Sequence, residues 1–357
     1  MARIDKFFRK LKEQDGSDLH VLAAQPPKFR IHGHLEPLNM PPLMNAECEE
    51  LLFEILDEKK KKTFAEKKDL DFAYEVAGVA RFRCNYFRQQ HGMGAVFRII
   101  PTRIKSLEEL GVPTVIERFG HLKAGLVLVT GPTGSGKSTT LAALIDYMNR
   151  NFSRHIVTIE DPIEYTHENK KSVLTQREVG ADTESFAAGL KAAMREDPDV
   201  ILVGELRDLE TISLAITAAE MGNIVFATLH TNSAAKTIDR IIDVFPEDQQ
   251  EQIRTMLSVS LQGICAQLLC RRSDGQGRVP VNEILIGSPG LSNIIREGAV
   301  HKIVTYVEGG RGEGMQLMDD SIMARLKDGL VTPQEAYMKA FDKSRFEALY
   351  AAAGEEA

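Results

Sequence analysis

The chain opens with helical periodicity. Ile4, Phe7, Phe8 and Leu11 recur at the spacing of one helix face within residues 3–14, with charged residues between them. The stretch SDLHVLAAQPPKFRIHGHLEPL then alternates apolar and polar positions. Turn residues at Pro26-Pro27 and Gly33 divide it, which predicts strands and a hairpin. Residues 45–68 return to a helical pattern and end in the run Lys59–Lys62, either a solvated helix face or a binding patch. LDFAYEVAGVARFRCNYFRQQHGMGAVFRII alternates again, with turns at Ala77-Gly78 and His91-Gly92. The first hundred residues therefore predict a small α+β domain, 1–100.

The texture changes after PTRIKSLEELGVPTVIERF, a linker punctuated by Pro101, Gly111 and Pro113 and placed at 101–115. Four short runs follow: LVLVT (126–130), HIVTIE (155–160), VILVGE (200–205) and IVFATLH (224–230). Each is apolar on both faces. Stretches that suit helices separate most of them, at 137–150, 183–196 and 208–221. This alternation predicts a parallel sheet covered on both sides, over 116–270. In such sheets the chemistry gathers at the carboxyl ends of the strands. From about 247 onward the pattern is helical, broken at RRSDGQGRVP, GSPG and EGGRGEG. A helical C-terminal region is expected over 271–357.

Composition narrows the class. A chain of 357 residues exceeds one ordinary core, in keeping with two domains. Hydrophobic residues at 43% and charged residues at 27% fit a soluble globular protein. A net charge of -7 argues against nucleic acid as the main partner. Cys48, Cys84, Cys265 and Cys270 are scattered without a C-x-x-C pair, so neither a zinc module nor a secreted disulfide framework is expected. No signal-peptide core opens the chain, and no run approaches about 18 apolar residues. The expectation is a cytoplasmic protein, held at any membrane only through partners.

The sharpest chemistry lies in GPTGSGKST, between the strand LVLVT and a helix. Gly131, Gly136, Lys137 and Ser138 satisfy G-x-x-x-x-G-K-[ST], with Pro132, Thr133, Gly134 and Ser135 filling the loop. Small residues let backbone N–H groups wrap a β-phosphate, and the helix N-terminus adds donors and the positive dipole end. Lys137 reaches the β/γ-phosphate oxygens, the Ser138 hydroxyl ligates Mg²⁺, and Thr139 starts the helix. ATP and Mg²⁺ are the expected ligands.

Hydrolysis needs more than this loop: an acid to order Mg²⁺ and an acid to activate water. Glu205 just past VILVG is assigned as the acid that positions water. Glu160, closing HIVTIE, is assigned as a second acid near metal or water. Spacing does not decide which of them is the base, or which stands near Mg²⁺. His230 closes IVFATLH and reads as a core residue, a metal ligand or part of a reaction centre. Its place among these strand ends points it at the γ-phosphate, with Thr231 and Asn232 turning the chain beside it.

Together GPTGSGKSTT, TIEDPIEY, ILVGELRD and ATLHTNSAAKTIDRIIDVFP resemble the Walker A, Asp, Walker B and His boxes of the secretion ATPase superfamily. Within it the chain is most similar to the type IV pilus retraction ATPases. The likeness runs through GSDLH, RFRCNYFRQ, TQREVGADT, REDPDVILVGE and GMQLMDDSI, nearly end to end. It implies a PAS-like N-terminal domain joined to a RecA-like ATPase domain. It also implies a homohexameric ring with ATP between neighbours, working on the pilus platform protein at the cytoplasmic face of the inner membrane to drive retraction and twitching. It places His230 near the γ-phosphate and makes Arg81, Arg83 and Arg98 arginine fingers. Surface ion pairing is the plainer reading of those arginines.

Two positions depart from the family. Asn223 stands where the His box usually has a first histidine, which excludes a titrating role there. GLSNIIRE (290–297) stands for the usual Ala-Ile-Arg-Asn-Leu-Ile-Arg-Glu, with Ser292 replacing the first arginine. An accessory retraction ATPase is the alternative that this second change keeps open. A pilus-assembly or type II secretion ATPase would commonly carry a longer N-terminal extension and a four-cysteine zinc module. A regulator that binds ATP without turnover is opposed by Glu160 and Glu205.

Overall fold

The structure, a computed structural model, describes residues 2–31, 33–100 and 103–355, with side chains through residue 352. Pro101 and Thr102, where the expected linker begins, lie outside the described residues, as do residues 356–357 of the expected C-terminal region. The chain separates into two compact units: Met1–Arg103 with Pro162–Thr166, and Ile104–Asp161 with His167–Ala357.

In the first unit α1 (Asp5–Glu13) leads into β1 (Gly16–Leu22), β2 (Lys28–Ile31) and β3 (His34–Pro37). Then come α2 (Asn45–Phe53), α3 (Glu58–Lys67), β4 (Asp69–Val76), β5 (Ala80–Gln89) and β6 (Gly92–Ile100). The strands form one sheet in the order β3-β2-β1-β6-β5-β4, every pair antiparallel. Period-2 alternation sorts its faces. Phe82, Cys84 and Tyr86 are fully buried, whereas Arg83 among them is exposed. The helical stripe read at the start covers the buried face: Phe8 stacks on Phe82 at 4.1 Å and meets Phe97 edge-on at 5.0 Å. The single helix expected over 45–68 is two. Asp57 interrupts it because its carboxylate accepts from Lys60 N at 2.8 Å and so starts α3 as an N-cap. The lysine run is a solvated face, with Lys60 paired to Asp57 and Lys61 to Glu58.

The second unit begins with α4 (Leu107–Leu110) and α5 (Ile116–Gly120), then β7 (Gly125–Thr130), α6 (Lys137–Asn151), β8 (His155–Glu160) and β9 (Val173–Glu178). It continues through α7 (Phe186–Ala193), β10 (Val200–Val203), α8 (Leu209–Glu220), β11 (Ile224–Leu229), α9 (Ala234–Asp243) and α10 (Glu247–Ser260). After β12 (Leu261–Arg271) and β13 (Arg278–Ile286) come α11 (Pro289–Arg296), α12 (Ile303–Gly309), α13 (Met318–Lys327), α14 (Pro333–Lys339) and α15 (Glu347–Glu355). One seven-stranded sheet runs β13-β12-β7-β11-β10-β8-β9. It is parallel throughout except for the β12–β13 pair. The four apolar runs are β7, β8, β10 and β11, at its centre. Every residue of β7, β10 and β11 is buried, as two covered faces require.

The helical pattern read from 247 onward is corrected between α10 and α11. LQGICAQLLCR and RVPVNEILI are strands, paired antiparallel from Gly263↔Ile286 to Arg271↔Arg278. Their clustered apolar residues suit a buried strand or a buried helix equally, and pairing with β7 decides the matter. β9 was missed for the opposite reason: VLTQRE is an edge strand with only two apolar residues. From Pro289 the chain is helical. All four cysteines are buried.

Candidate active site

β7 ends at Thr130 and the chain turns at once. Gly131 adopts φ +145°, where a side chain is strained. A Cβ there would stand 2.3 Å from Gln267 O and 2.6 Å from Ser135 Oγ. Gly136, at φ +85°, would place its Cβ 2.9 Å from Gln267 Nε2. Gly134 also has positive φ but faces open space. The loop is thus pressed against β12 on one side and open on the other, where Pro132, Thr133 and Gly134 are exposed. α6 starts at Lys137 and presents the N–H groups and positive dipole end of its first turn. Lys137 is buried, and its Nζ donates to Gly131 O at 2.8 Å and Pro132 O at 3.2 Å. The ammonium is therefore folded back over the loop. Ser138 is exposed and Thr139 half-buried beside it. Ser135 Oγ is buried with no hydrogen-bond partner among the described residues. An orphan donor in a ring of backbone N–H groups suits a phosphate oxygen.

The neighbouring strand ends carry the other groups. Thr228 Oγ1 donates to Gly204 O at 2.5 Å, and Leu206 N donates to Thr228 O at 3.0 Å. These bonds pin residues 204–206 to β11 and hold Glu205 beside His230. His230 Nε2 and Glu205 Oε1 are 2.9 Å apart, and Arg207 Nε donates to Glu205 Oε2 at 2.8 Å. Arg207 also faces Asp161 at 3.8 Å. The His230 side chain is 47% exposed, which removes the core reading. Glu160 closes β8 and accepts from Thr158 Oγ1 at 2.7 Å and Gln176 Nε2 at 3.3 Å. Sequence reasoning left Arg207 without a role. Its one signal was its position in ELRD, where Glu205 serves the site, Arg207 ties it to Asp161, and Asp208 caps α8 through Thr211 N at 2.8 Å.

Asn223 lies at the far end of β11 from His230, and its side-chain amide donates to Pro198 O. This departure is a turn lock. Ser292 sits in α11 and donates back to Ser288 O at 3.2 Å, while Leu291 and Ile295 are buried. The helix is amphipathic.

The three arginines belong to the first unit. Arg81 and Arg83 alternate along β5 on one face, and Arg83 is directly opposite Arg98 on β6. Arg98 Nε donates to Asp18 Oδ1 at 2.8 Å. Burial pushes the Asp18 carboxyl upward, but hydrogen bonds from Ser17 and Arg98 outweigh it and hold the group below its ordinary value.

With loop, acids and histidine together at one sheet edge, comparison with known proteins becomes informative. The model of the Type II/IV secretion system protein family matches residues 2–336. The chain belongs to this family. It is 50% identical over 328 residues to the type IV pilus retraction ATPase PilT of Pseudomonas aeruginosa, covering 92% of this chain and 95% of that protein. It is 40% identical over 336 residues to the type IV pilus ATPase PilU of the same organism, covering 94% and 88%. Its structure matches a crystal structure of the pilus retraction motor PilT with bound ADP, at a TM-score of 0.90 and 44% identity, over 98% of this chain and 99% of that one.

Proposed function

We propose that this protein is an ATP-hydrolysing motor that drives type IV pilus retraction. The observation that carries the proposal is the phosphate loop beside a hydrogen-bonded Glu205–His230 pair, in a chain half identical to a retraction ATPase across almost its whole length. In this reading the N–H groups of Thr133, Gly134 and Gly136 and the first turn of α6 cradle the β-phosphate. Lys137 exchanges its two carbonyl partners for β/γ oxygens. The exposed Ser138 hydroxyl is the donor suited to Mg²⁺, whose chemistry is to neutralise charge on the phosphates. Glu205 takes the proton of the attacking water, and His230 reports the γ-phosphate to it. Arg207 holds Glu205 Oε2 while His230 meets Oε1, so the two together fix the orientation of the carboxylate. Glu160 remains the alternative base.

The working form is a homohexamer with nucleotide between subunits, and Arg81, Arg83 and Arg98 supply positive charge to the phosphates. Among the described residues no helix is long and apolar enough to cross a membrane. That is compatible with a cytoplasmic ring acting at the inner membrane through a pilus platform protein. A second reading, an accessory retraction ATPase, is favoured by the likeness to PilU and by Ser292 in α11.

Deleting the gene and scoring pili and twitching tests the proposal. Hyperpiliated, non-twitching cells are expected. Normal piliation with weaker twitching indicates the accessory motor, and bald cells would overturn retraction altogether.

A further inference from the structure

The floor of the phosphate loop is a side chain outside the four motif boxes. β12 runs parallel to β7 as far as Ala266↔Thr130, and Gln267 follows at once. Its side chain is buried. Nε2 donates to Ser135 O at 2.7 Å, within the loop. Oε1 accepts from Thr140 Oγ1 on α6 at 2.9 Å and from Asn282 Nδ2 on β13 at 3.0 Å. Two donors on Oε1 fix which way round the amide lies. The backbone oxygen of the same residue closes the space behind Gly131.

We propose that Gln267 is a positioning residue for nucleotide phosphates. The inference rests on the reading that this loop binds nucleotide. In a trans peptide the C=O and the following N–H point to opposite sides. Holding Ser135 O toward β12 therefore turns Gly136 N–H away from β12, toward the open mouth of the loop. Without the Gln267 donor the Ser135 carbonyl is buried and unpaired, and a rotated peptide would satisfy it by leaving the floor. That rotation presents an oxygen to the phosphate in place of an N–H. The hold is itself anchored: Asn282 N donates to Ser321 Oγ on α13 at 3.0 Å, and Gln316 Nε2 donates to Asn282 O at 2.8 Å.

The test uses the full chain and three variants, with ADP affinity by titration and ATP turnover at pH 8. Gln267→Glu keeps the size and the Oε1 contacts but sets an acceptor against Ser135 O. Gln267→Leu removes all three bonds. Thr140→Val removes one donor that orients the amide and is the mildest change to the fold. For folded Gln267→Glu and Gln267→Leu, the Kd for ADP and KM for ATP should rise about tenfold, the loss of one well-placed hydrogen bond. Thr140→Val should raise KM about threefold. A merely structural role would lower the active fraction, and so kcat, with KM unchanged. Wild-type KM in any folded variant overturns the inference. Absence of ADP binding by the unaltered chain, with Lys137→Ala as the matched control, would overturn the nucleotide reading itself and this inference with it.

Discussion

At the scale of single residues, we propose that Glu205 takes the proton and His230 senses the phosphate. The Glu205 carboxylate has one oxygen on His230 and the other on Arg207. Glu205→Gln keeps the shape and most of those contacts but cannot take a proton. It should bind ATP as the unaltered chain does, while phosphate release falls about 10²- to 10⁴-fold, the ordinary worth of a general base. Near-normal release from Glu205→Gln, with loss in Glu160→Gln, would transfer the base to Glu160. His230→Ala removes a side chain that is half in water, so stability should change by no more than about 0.5 kcal/mol. Turnover should still collapse while nucleotide affinity is kept. Full turnover would deny His230 any part in the reaction.

At the scale of elements, the loop's glycines are unequal, because the strand behind them is close at some and absent at others. Gly131→Ala must push Gln267 O aside, and that oxygen belongs to the backbone of β12. Gly134→Ala meets open space and carries only the left-handed strain of φ +78°, about 1 to 2 kcal/mol. Gly131→Ala should therefore abolish ADP binding and lower the melting temperature, whereas Gly134→Ala should keep measurable binding; equal behaviour would mean the wall behind Gly131 yields. That wall was illegible in the sequence. β7, β8, β10 and β11 were readable because their runs are short, apolar on both faces and spaced by helices, and the loop was readable from its glycines and Lys137. β12 was not: LQGICAQLLCR has no clean period, and its polar Gln267 gives no sign that it faces a loop 132 positions earlier in the chain. Arg207 was hidden likewise, since its meaning depends on Asp161 from another strand end. The pattern exposes elements that bury their own faces, and conceals contacts made only by sheet order.

At the scale of the whole molecule, the first unit sets two arginines against each other across neighbouring strands. Arg83 is exposed and directly opposite Arg98, so two cations share one cross-strand position, where like charges repel. Asp18 answers Arg98 at 2.8 Å and approaches Arg30 at 3.7 Å, and Glu75 of β4 lies directly opposite Arg81, whereas the residue opposite Arg83 on β4 is Ala73. An arrangement of this kind is stable where an anion is supplied, and an arginine row suits phosphate oxygens better than lysines would, through paired N–H donors. In a ring that binds nucleotide between subunits, Arg83→Ala should leave assembly and the fold of each unit intact, because an exposed strand position contributes little to either. Turnover should fall at least about tenfold, at the low end of what arginine fingers contribute. Sedimentation and phosphate release on the same sample read the two effects apart. Rings of unchanged size with full turnover would return Arg83 to ordinary surface pairing. Rings of unchanged size with depressed turnover, relieved neither by more ATP nor by Arg83→Lys, would assign the missing function to the planar guanidinium.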